Sequence, residues 1–481
     1  MSNDIKAKIR AVLDTENVMY LATAVDGIPS VSSVFYGYDS KTFELYFFTF
    51  TPTVKGVHIG FNKKVQVHIS KKADEGDQIK GVQVTGRAEK IKDEETIEKI
   101  KPLINIASNS AFVDYYDLPV AGWYRIVPTQ IKYIDFFSDP QFEFLEFREN
   151  QPSFFQNFGE AVVSRLKVWV ATTRAPFFTA SIIPVLVGAA LAFSLTGVIH
   201  WPYLFLTLIG GVLLHAGTNM LNDYFDHTSR NDESNQHGFI PFFGGSRMIQ
   251  TGTMSSLKIG IAAWICFIIG SLIGLYLESQ IGGQVITSLV IFGAFLGIFY
   301  TADPLRIGYR GLGEITVALG FGPAYTLVSL YVQVGATGTP LDLTLWIVGM
   351  FWSVPLALLV ANILLINEFQ DYEADLKVGK RTLPVRLGKK RALSIYKQIN
   401  TLAYVVILAG AVVFFQNAFL TVLALITFPL ARKAMVHAEK HFDKIFELIP
   451  ANVMTIGVHL FTGALIILGL VLTRIVLPIP S

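Results

Sequence analysis

Hydrophobic and polar residues are patterned in two different ways along this chain. Up to about residue 150, short segments rich in β-branched and aromatic residues, such as VMYLATAV and KVQVHIS, are separated by turn signals such as the DG dipeptide. Segments of this kind are typical of β-strands with one buried face. A helical pattern over residues 4–16 places four apolar side chains on one face: Ile5, Ile9, Val12 and Leu13. We therefore predict a soluble α+β domain built on a small barrel.

From residue 177 onward the pattern changes to uncharged runs of about 20 residues, which are long enough to cross a bilayer as helices. We predict nine such spans, over residues 177–197, 202–222, 259–277, 284–302, 314–335, 343–367, 397–415, 417–432 and 451–473. The fold class that follows is multi-domain: an N-terminal α+β split β-barrel and a C-terminal all-α membrane bundle of about nine transmembrane helices.

The two halves are joined by the amphipathic segment SFFQNFGEAVVSRLKVWVATTRAP, in which aromatic and aliphatic residues recur at helical spacing. A helix of this kind is expected to rest on the membrane surface before the first crossing, and a plain linker helix is the alternative. The predicted domains are residues 1–148, the linker 149–176, and the membrane domain 177–476.

Composition and charge agree with a membrane protein. Hydrophobic residues make up 52% of the chain and charged residues 16%, whereas a typical soluble domain has roughly 25% charged residues. The net charge of +2 is too small to indicate nucleic acid as a partner. The polar N-terminus has no apolar core of its own, so we expect no cleavable signal peptide.

The loops predict the orientation of the bundle. The turns near 198–201, 277–285, 334–345 and 414–418 contain no lysine or arginine, whereas the alternate loops carry many. This asymmetry places the alternate loops in the cytoplasm, and the soluble domain precedes the first span on the same side. We expect a multi-pass protein of the cell (inner, cytoplasmic) membrane whose N-terminal domain and active-site loops are cytoplasmic.

Carboxylates cluster at the cytoplasmic ends of the second and sixth spans. Two rows recur at helical spacing, Asn222, Asp223 and Asp226 in the first and Asn367, Asp371 and Asp375 in the second. Spacings of three and four residues align each row on one helix face. Ionisable groups are costly inside a membrane, so a functional role is the default hypothesis. Facing rows of acids repel each other unless cations lie between them, and oxygen-only ligands completed by substrate phosphates suit Mg²⁺.

We interpret these six residues as the ligands of a magnesium–diphosphate site, in which the four aspartates are catalytic. Four basic residues of the same loops are candidates for binding the diphosphate: Arg247, Arg310, Lys380 and Arg381. The alternatives are a solvated loop whose acids cap helices or pair with basic neighbours, and basic residues that only follow the positive-inside rule.

These motifs carry a family resemblance. NDYFD with a further Asp232, "DYEAD…GKRTLPVRLG" and the nine spans resemble the UbiA superfamily of intramembrane aromatic prenyltransferases over residues 170–475. "YTADPLRIGYRGLGE" and "GGSRMIQTG" resemble its naphthoate-prenylating branch, which makes menaquinone precursors. The resemblance implies Mg²⁺-dependent transfer of a polyprenyl group from an allylic diphosphate to an aromatic acceptor. Asp232 would hold a second metal or orient the acceptor, Tyr300 is a further candidate at the acceptor, and Glu368 departs from the pattern as an extra acid.

The N-terminal half resembles the flavin-binding split barrel of the pyridoxamine 5'-phosphate oxidase-like superfamily. The resemblance rests on "FTPTVKGVHIGFNKKVQVHIS", "GVQVTGRAEKI" and "YRIVPTQIKYID". It implies that FMN or a related flavin contacts Thr53, Lys55 and Gln83. Such barrels commonly dimerise, so a homodimer through the barrel is one assembly that the resemblance allows. A barrel that has lost its cofactor and now pairs or docks is the alternative.

For the whole chain we predict an intramembrane prenyltransferase that acts on an aromatic acceptor and carries a flavin-type domain. As a hypothesis, the barrel reduces a quinoid acceptor to its nucleophilic form. Two other classes remain as alternatives: a membrane-anchored flavin-dependent quinone reductase whose membrane half only binds the isoprenoid quinone, and a non-catalytic membrane scaffold. The sequence leaves the acceptor, the prenyl chain length and the oligomeric state open.

Overall fold

The structure is a computed structural model, which describes residues 2–70, 80–104, 120–228, 245–340 and 342–477. Asp232, one of the predicted site residues, lies outside the described residues. Contacts divide the chain into two compact units. The first contains Met1–Val170 and Met248–Ser255, and the second contains Ala171–Arg247 and Ser256–Ser481.

The first unit is a β-barrel with short helices. Its strands are β1 (Val18–Val25), β2 (Ile28–Tyr38), β3 (Leu45–Phe50), β4 (Lys64–Ser70), β5 (Lys80–Ile91), β6 (Ala121–Asp135) and β7 (Phe142–Glu146), and its helices are α1 (Ser2–Leu13), α2 (Val54–Phe61), α3 (Glu94–Ile100) and α4 (Phe154–Thr172). The sheet order is β3-β2-β1-β4-β5-β6-β7, and β3 also pairs with β6. This pairing closes a six-stranded barrel to which β7 is added at β6, so the predicted barrel is confirmed.

Local sequence explains why these strands pair as they do. In β1, every second residue from Met19 to Val25 is buried, as expected for a strand with one face on a core. The chain turns into β2 at Asp26 and Gly27, which have φ angles of +50° and +81°. Positive φ at both central residues is typical of the tight hairpin turn that a DG dipeptide favours.

Apolar side chains from the strands and from α1 form the barrel core. The face predicted from the helical spacing of α1 is confirmed, because Ile5, Ile9, Val12 and Leu13 are all buried in that core. Helix α4 contacts the barrel through an ion pair between Glu160 and Arg87. Phe155 and Phe158 of α4 are exposed over 83% and 64% of their surface. Such exposure is expected of an apolar helix face that has no protein partner. The position of α4 at the membrane interface stays a prediction.

The second unit is helical. Its helices are α5 (Thr179–Thr196), α6 (Trp201–Thr228), α7 (Ser256–Ile281), α8 (Val285–Phe299), α9 (Gly313–Leu319), α10 (Tyr325–Gly335), α11 (Leu343–Lys377), α12 (Leu383–Leu387), α13 (Lys389–Val413), α14 (Phe415–Ala418), α15 (Phe428–His441) and α16 (Ile449–Val476). A π-helical turn, Gly320–Ala324, joins α9 to α10.

Among the described residues, eight helical segments are long and apolar enough to cross a membrane. The remaining predicted span, 284–302, corresponds to α8, which has 15 residues, fewer than the roughly 20 of a typical crossing. The predicted spans 397–415 and 417–432 are confirmed as two segments, Lys389–Val413 and Phe415–His441. The chain is therefore a multi-pass membrane protein.

The bundle has an apolar core, buries a number of polar side chains within it and exposes many apolar side chains on its outer surface. Ser329 of α10, for example, is fully buried and donates a hydrogen bond to the backbone oxygen of Val185 in α5 at 2.6 Å. Ile268 and Leu272 of α7 are among many exposed aliphatic residues. Lipid tails can surround such residues, whereas a polar group inside the bundle needs a partner from a neighbouring helix.

Candidate active site

A cavity of about 300 Å³ lies inside the second unit. Both Leu206 and Asp226 of α6 line it. At 1.5 Å per residue these two positions are about 30 Å apart along the helix, so the cavity is long and narrow. Its polar lining consists mainly of Arg174, Asn219, Asn222, Asp226, Tyr300, Thr301, Asn367, Glu368, Asp371, Asp375 and Lys380. Most other lining residues are apolar or glycine.

The first predicted row lies at the C-terminal end of α6. Asn222 accepts a hydrogen bond from the Thr301 hydroxyl at 3.0 Å. Asp226 accepts one from the Tyr309 hydroxyl at 2.7 Å. Both side chains line the cavity, as the helical spacing predicts.

Asp223, the third member of the first row, is buried beside the cavity wall. It forms an ion pair with Arg174. It also accepts a hydrogen bond from the backbone N–H of Ser246 at 3.3 Å. A buried carboxylate needs such partners, because an unpaired charge in a low-dielectric interior is very costly.

The second row lies at the C-terminal end of α11, and all three members line the same cavity. Asn367 accepts a hydrogen bond from Asn452 of α16 at 2.5 Å. Asp375 contacts the ammonium of Lys380 at 3.4 Å and the hydroxyl of Thr382 at 3.3 Å. The structure therefore brings the two predicted rows to the wall of one cavity.

Lys380 lies within electrostatic reach of both rows. Burial would lower the pKa of its ammonium, but the nearby carboxylates of Asp375 and Asp226 outweigh burial and raise that pKa well above its ordinary value. The ammonium is also 5.6 Å from the centre of the Tyr309 ring. The lysine is thus held positively charged at the polar part of the cavity, where an anionic group could bind.

The donor set fits magnesium shared with a phosphate. Within the part of the chain that the structure describes, no group of three or more His, Cys, Asp or Glu side chains could hold a metal ion by itself. Magnesium commonly binds proteins through one or two carboxylates, with the remaining positions filled by water and substrate phosphates. The carboxyl and amide oxygens of Asn222, Asp226, Asn367, Asp371 and Asp375 on the cavity wall meet that requirement.

The four predicted basic residues are placed differently. Lys380 lines the cavity, and Arg247 is buried, with a φ angle of +59°. Arg310 and Arg381 are exposed, and neither belongs to the cavity lining. The guanidinium of Arg310 donates to the backbone oxygen of Pro304 at 3.1 Å.

Sequence reasoning missed Arg174, the arginine that lines the cavity. It follows α4 in the ATTRAP segment, has a φ angle of +55° and pairs with Asp223. The sequence predicts that this residue belongs to the linker 149–176. The signal that the sequence offered was the position of this arginine, two residues before Pro176 and close to the start of the first span.

A second missed feature is the pairing of Glu368, the extra acid of the sequence analysis, with Glu314. Glu314 of α9 and Glu368 of α11 are buried, and their carboxyl groups contact each other. Glu368 lines the cavity. One oxygen of each, Oε1 of Glu314 and Oε2 of Glu368, has no hydrogen-bond partner among the described residues. Buried oxygens in this state are suited to accept hydrogen bonds from a ligand.

Aromatic rings line the cavity near His215. The His215 ring is 4.5 Å from that of Phe321, which stacks on Tyr325 at 5.6 Å. His215 is fixed by the hydroxyl of Ser181 at 3.1 Å. Tyr300 also lines the cavity. Ring faces carry partial negative charge, so this wall suits a carbocation.

The predicted flavin residues lie in the barrel. Thr53 caps α2, where its hydroxyl accepts from the N–H of Gly56 at 3.3 Å, and burial lowers the pKa of the half-buried Lys55. Gln83 lies on β5, and its neighbours Val82 and Val84 point into the core. Gln83 therefore lies on the outer face of the barrel, whereas Thr53 and Lys55 share a helix N-terminus.

Comparisons with known proteins agree with these features. Residues 181–456 match the UbiA prenyltransferase family, and residues 5–135 match the pyridoxamine 5'-phosphate oxidase family. A 2-carboxy-1,4-naphthoquinone phytyltransferase of Synechocystis is 27% identical over 63% of this chain and 92% of its own. A 1,4-dihydroxy-2-naphthoate octaprenyltransferase of Mycobacterium tuberculosis is 30% identical over 49% of this chain and 75% of its own. A solved digeranylgeranylglyceryl phosphate synthase is 18% identical, with a TM-score of 0.44 over 64% of this chain and 99% of its own.

Proposed function

Because the chain belongs to the UbiA prenyltransferase family, we propose that it transfers a polyprenyl group from an allylic diphosphate to a naphthoate-type aromatic acceptor. The observation that carries this proposal is one cavity whose polar lining contains Lys380 and all members of the two acidic rows except Asp223, which is buried beside it. The relatives named as naphthoate and naphthoquinone prenyltransferases support the choice of acceptor class.

The diphosphate binds at the polar part of the cavity. Asn222, Asp226, Asn367, Asp371 and Asp375 would hold Mg²⁺, with Asp223 beside them. Bound magnesium would supply charge neutralisation of the diphosphate as its bond to the allylic carbon breaks. Lys380 and Arg174 contribute fixed positive charge to the same group. The electron pair of the breaking carbon–oxygen bond leaves with the diphosphate.

The prenyl chain occupies the apolar length of the cavity. Leu206, Leu277, Ile286 and Val328 line this part. Apolar walls exclude water, which would otherwise capture the allylic cation. The rings of His215 and Phe321, 4.5 Å apart, face this region and stabilise positive charge. This division of the cavity explains why polar and apolar linings occur in one long pocket.

The aromatic acceptor binds where Glu314 and Glu368 meet. The unpaired oxygen of Glu368, which lines the cavity, accepts a hydrogen bond from a ring hydroxyl of the acceptor, and Glu314 contacts Glu368. Tyr300 lines the same region. A carbon of the electron-rich ring forms a bond to the allylic carbon and then loses its own substituent, a proton or a carboxyl group. A dihydroxy ring meets this requirement better than a quinone, whose carbonyls only accept hydrogen bonds.

The barrel is proposed to bind FMN or a related flavin through the Thr53–Lys55 helix N-terminus and Gln83, and to pair as a homodimer. The helix N-terminus and the lysine suit a phosphate. The match of residues 5–135 to the pyridoxamine 5'-phosphate oxidase family supports this proposal. The lysine and arginine distribution supports a cytoplasmic position for the barrel and the active-site loops of an inner-membrane protein.

The deciding experiment is a transfer assay with the full chain in lipid, Mg²⁺ and labelled polyprenyl diphosphate. Naphthoate, benzoate and lipid-alcohol acceptors are offered in parallel, and products are identified by mass spectrometry. We expect a prenylated naphthoate-derived product. Absence of product with every acceptor would overturn the proposal. Full prenyl-transfer turnover of an Asp223→Asn variant would contradict the assignment of the acidic rows to catalysis.

A further inference from the structure

Helix α8 forms one wall of the cavity from its polar part to its apolar end. Residues of α8 and its C-terminal cap that line the cavity recur at spacings of three and four, so they share one helix face: Ile286, Val290, Gly293, Gly297 and Tyr300. Tyr300 adjoins Thr301, which bonds to Asn222 of the first acidic row. Ile286 packs with Leu277 at the apolar end. Gly293 is seven residues from each, or roughly 10 Å along the helix axis.

Gly293 differs from other glycines of the cavity wall in what surrounds it. An added Cβ at Gly297 would lie 2.6 Å from the hydroxyl oxygen of Thr218, and one at Gly270 of α7 would lie 2.9 Å from Leu214. Glycines of this kind allow neighbouring helices to approach closely. At Gly293 an added Cβ would meet no heavy atom of the described residues within 4 Å. Because Gly293 is central on the face of α8 that lines the cavity, this empty space belongs to the cavity.

The local structure of α8 gives no other reason for a glycine at this position. Gly293 lies near the middle of the helix, where glycine is less favourable than alanine. Its backbone is helical, and it is not among the glycines with a positive φ. Neither close helix packing nor a special backbone conformation therefore requires glycine at residue 293. What the position provides is open space, halfway between the polar part of the cavity and its apolar end.

We propose that Gly293 determines the length of the prenyl chain that the cavity admits. A chain that extends beyond Gly293 uses the space left by the missing side chain and reaches the apolar end near Ile286. The donor class is therefore a long-chain allylic diphosphate, such as geranylgeranyl or a longer polyprenyl diphosphate. The inference rests on the proposed function, because it concerns the donor of that reaction. Gly293 contacts the chain far from the breaking carbon–oxygen bond, so it acts on specificity.

The test compares a long donor with a short one, using the full chain in lipid with Mg²⁺ and a naphthoate acceptor. Geranylgeranyl diphosphate is the long donor. Dimethylallyl diphosphate is the short donor, and with carbon–carbon bonds of about 1.5 Å its few carbons end well before Gly293. The measured quantity is kcat/KM for the long donor divided by kcat/KM for the short donor. Competition of dimethylallyl diphosphate with labelled geranylgeranyl diphosphate gives the affinity of the short donor independently of its turnover.

Two substitutions fill the space to different degrees. Gly293→Leu should lower the ratio by about tenfold to a hundredfold, which corresponds to the cost of an extra side chain in a filled apolar site. Gly293→Ala should lower the ratio less, because a single methyl group fills less space. It should also fold at least as well as wild type, since alanine favours the helix and the added Cβ has no close neighbour. A lower ratio in Gly293→Ala therefore cannot come from misfolding.

Ile291→Phe is the matched control. Ile291 lies two residues from Gly293 on the same helix and is exposed over 63% of its surface, so the larger side chain adds bulk outside the cavity. This variant should keep the wild-type ratio and the wild-type affinity for dimethylallyl diphosphate. A variant that merely misfolds would lose turnover with both donors by the same factor, which leaves the ratio unchanged.

The outcomes separate this inference from the proposed function. An unchanged ratio in Gly293→Leu, or a wild-type preference for dimethylallyl diphosphate, overturns the inference alone. A wild-type chain without transferase activity overturns the proposed function. Thermal unfolding then still tests Gly293, because a bound ligand raises Tm. Geranylgeranyl diphosphate should raise the Tm of wild type and Ile291→Phe more than that of Gly293→Leu, and equal shifts in all three would overturn the inference as well.

Discussion

The barrel and the helical bundle distribute polarity in opposite ways. The barrel buries Phe47, Leu45 and Ile126 and turns charged side chains outward. The bundle exposes aliphatic side chains such as Ile268 and buries carboxylates such as Asp223 and Asp375. In water, the hydrophobic effect gives a protein an apolar interior and a polar surface. In lipid, both the interior and the surface of a protein can be apolar. A buried charge in the bundle therefore carries more information about function than any apolar residue there.

Both regions contain buried polar atoms without a hydrogen-bond partner among the described residues, but in the bundle these include two carboxyl groups that contact each other. In the barrel, buried His58 uses both ring nitrogens, and buried Thr49 is within 3.1 Å of Thr53. In the bundle, Glu314 and Glu368 each keep an oxygen without a hydrogen-bond partner among the described residues. An unsatisfied buried acceptor costs free energy, so we interpret these oxygens as reserved for a ligand. This contrast leads to four predictions.

Metal removal should have the largest effect. Chelation with EDTA should abolish prenyl transfer, because the two acidic rows and the diphosphate then repel each other. Added Mg²⁺ should restore the full rate in the transfer assay. The fold of the barrel should be unaffected by chelation, which the near-ultraviolet circular dichroism of the protein with and without EDTA checks. Undiminished turnover in excess chelator would show that the rows serve another purpose.

Loss of single carboxylates should be nearly as severe. Asp223→Asn and Asp371→Asn should each lower kcat/KM by roughly a thousandfold, since a carboxylate that would hold the metal, or that holds Arg174 at the cavity, is replaced by a neutral amide. Steady-state rates with labelled diphosphate provide the measurement. Asp303→Asn is the control, because Asp303 is largely exposed and pairs only with Arg306 among the ion pairs of the described residues. Equal losses in all three variants would argue against a specific role for the rows.

Substitutions of apolar residues should affect stability differently in the barrel, which is surrounded by water, and on the outer surface of the bundle, which is surrounded by lipid. Phe47 is fully buried in the barrel and stacks on Tyr124 at 5.3 Å. Phe47→Ala should lower the free energy of unfolding by about 3–5 kcal/mol. Ile268→Ala on the lipid-facing side of α7 should change it far less, because lipid replaces the lost contacts. Denaturant unfolding in detergent measures both, and similar losses would refute the contrast.

The smallest of the four effects concerns the acceptor. Glu368→Gln should raise the KM for a dihydroxynaphthoate about tenfold, because an amide nitrogen, which only donates, replaces one of the two carboxyl oxygens that can accept a hydrogen bond. The KM for polyprenyl diphosphate should change little. Glu373→Gln, an exposed position on the same helix, is the matched control. A rise confined to the diphosphate KM would place Glu368 with the metal ligands instead.

Much of the fold could be predicted because period-2 and helical patterns report directly on which faces are buried. The buried face of α1 and the two acidic rows followed from spacing alone. Spacing could not separate Lys380, which lines the cavity, from the exposed Arg381 beside it. Both satisfy the positive-inside rule, and only the path of the chain after α11 distinguishes them.

The sequence by itself determined which half is exposed to water and which to lipid, the strand and helix periods, and the alignment of each acidic row. These properties depend on residues that lie close together along the chain. Tertiary structure alone decided which distant residues meet: Arg174 with Asp223, Glu314 with Glu368, and His58 with Thr251. Each pair joins segments more than 45 residues apart. Their contact depends on how whole elements pack, and local patterns contain no record of that packing.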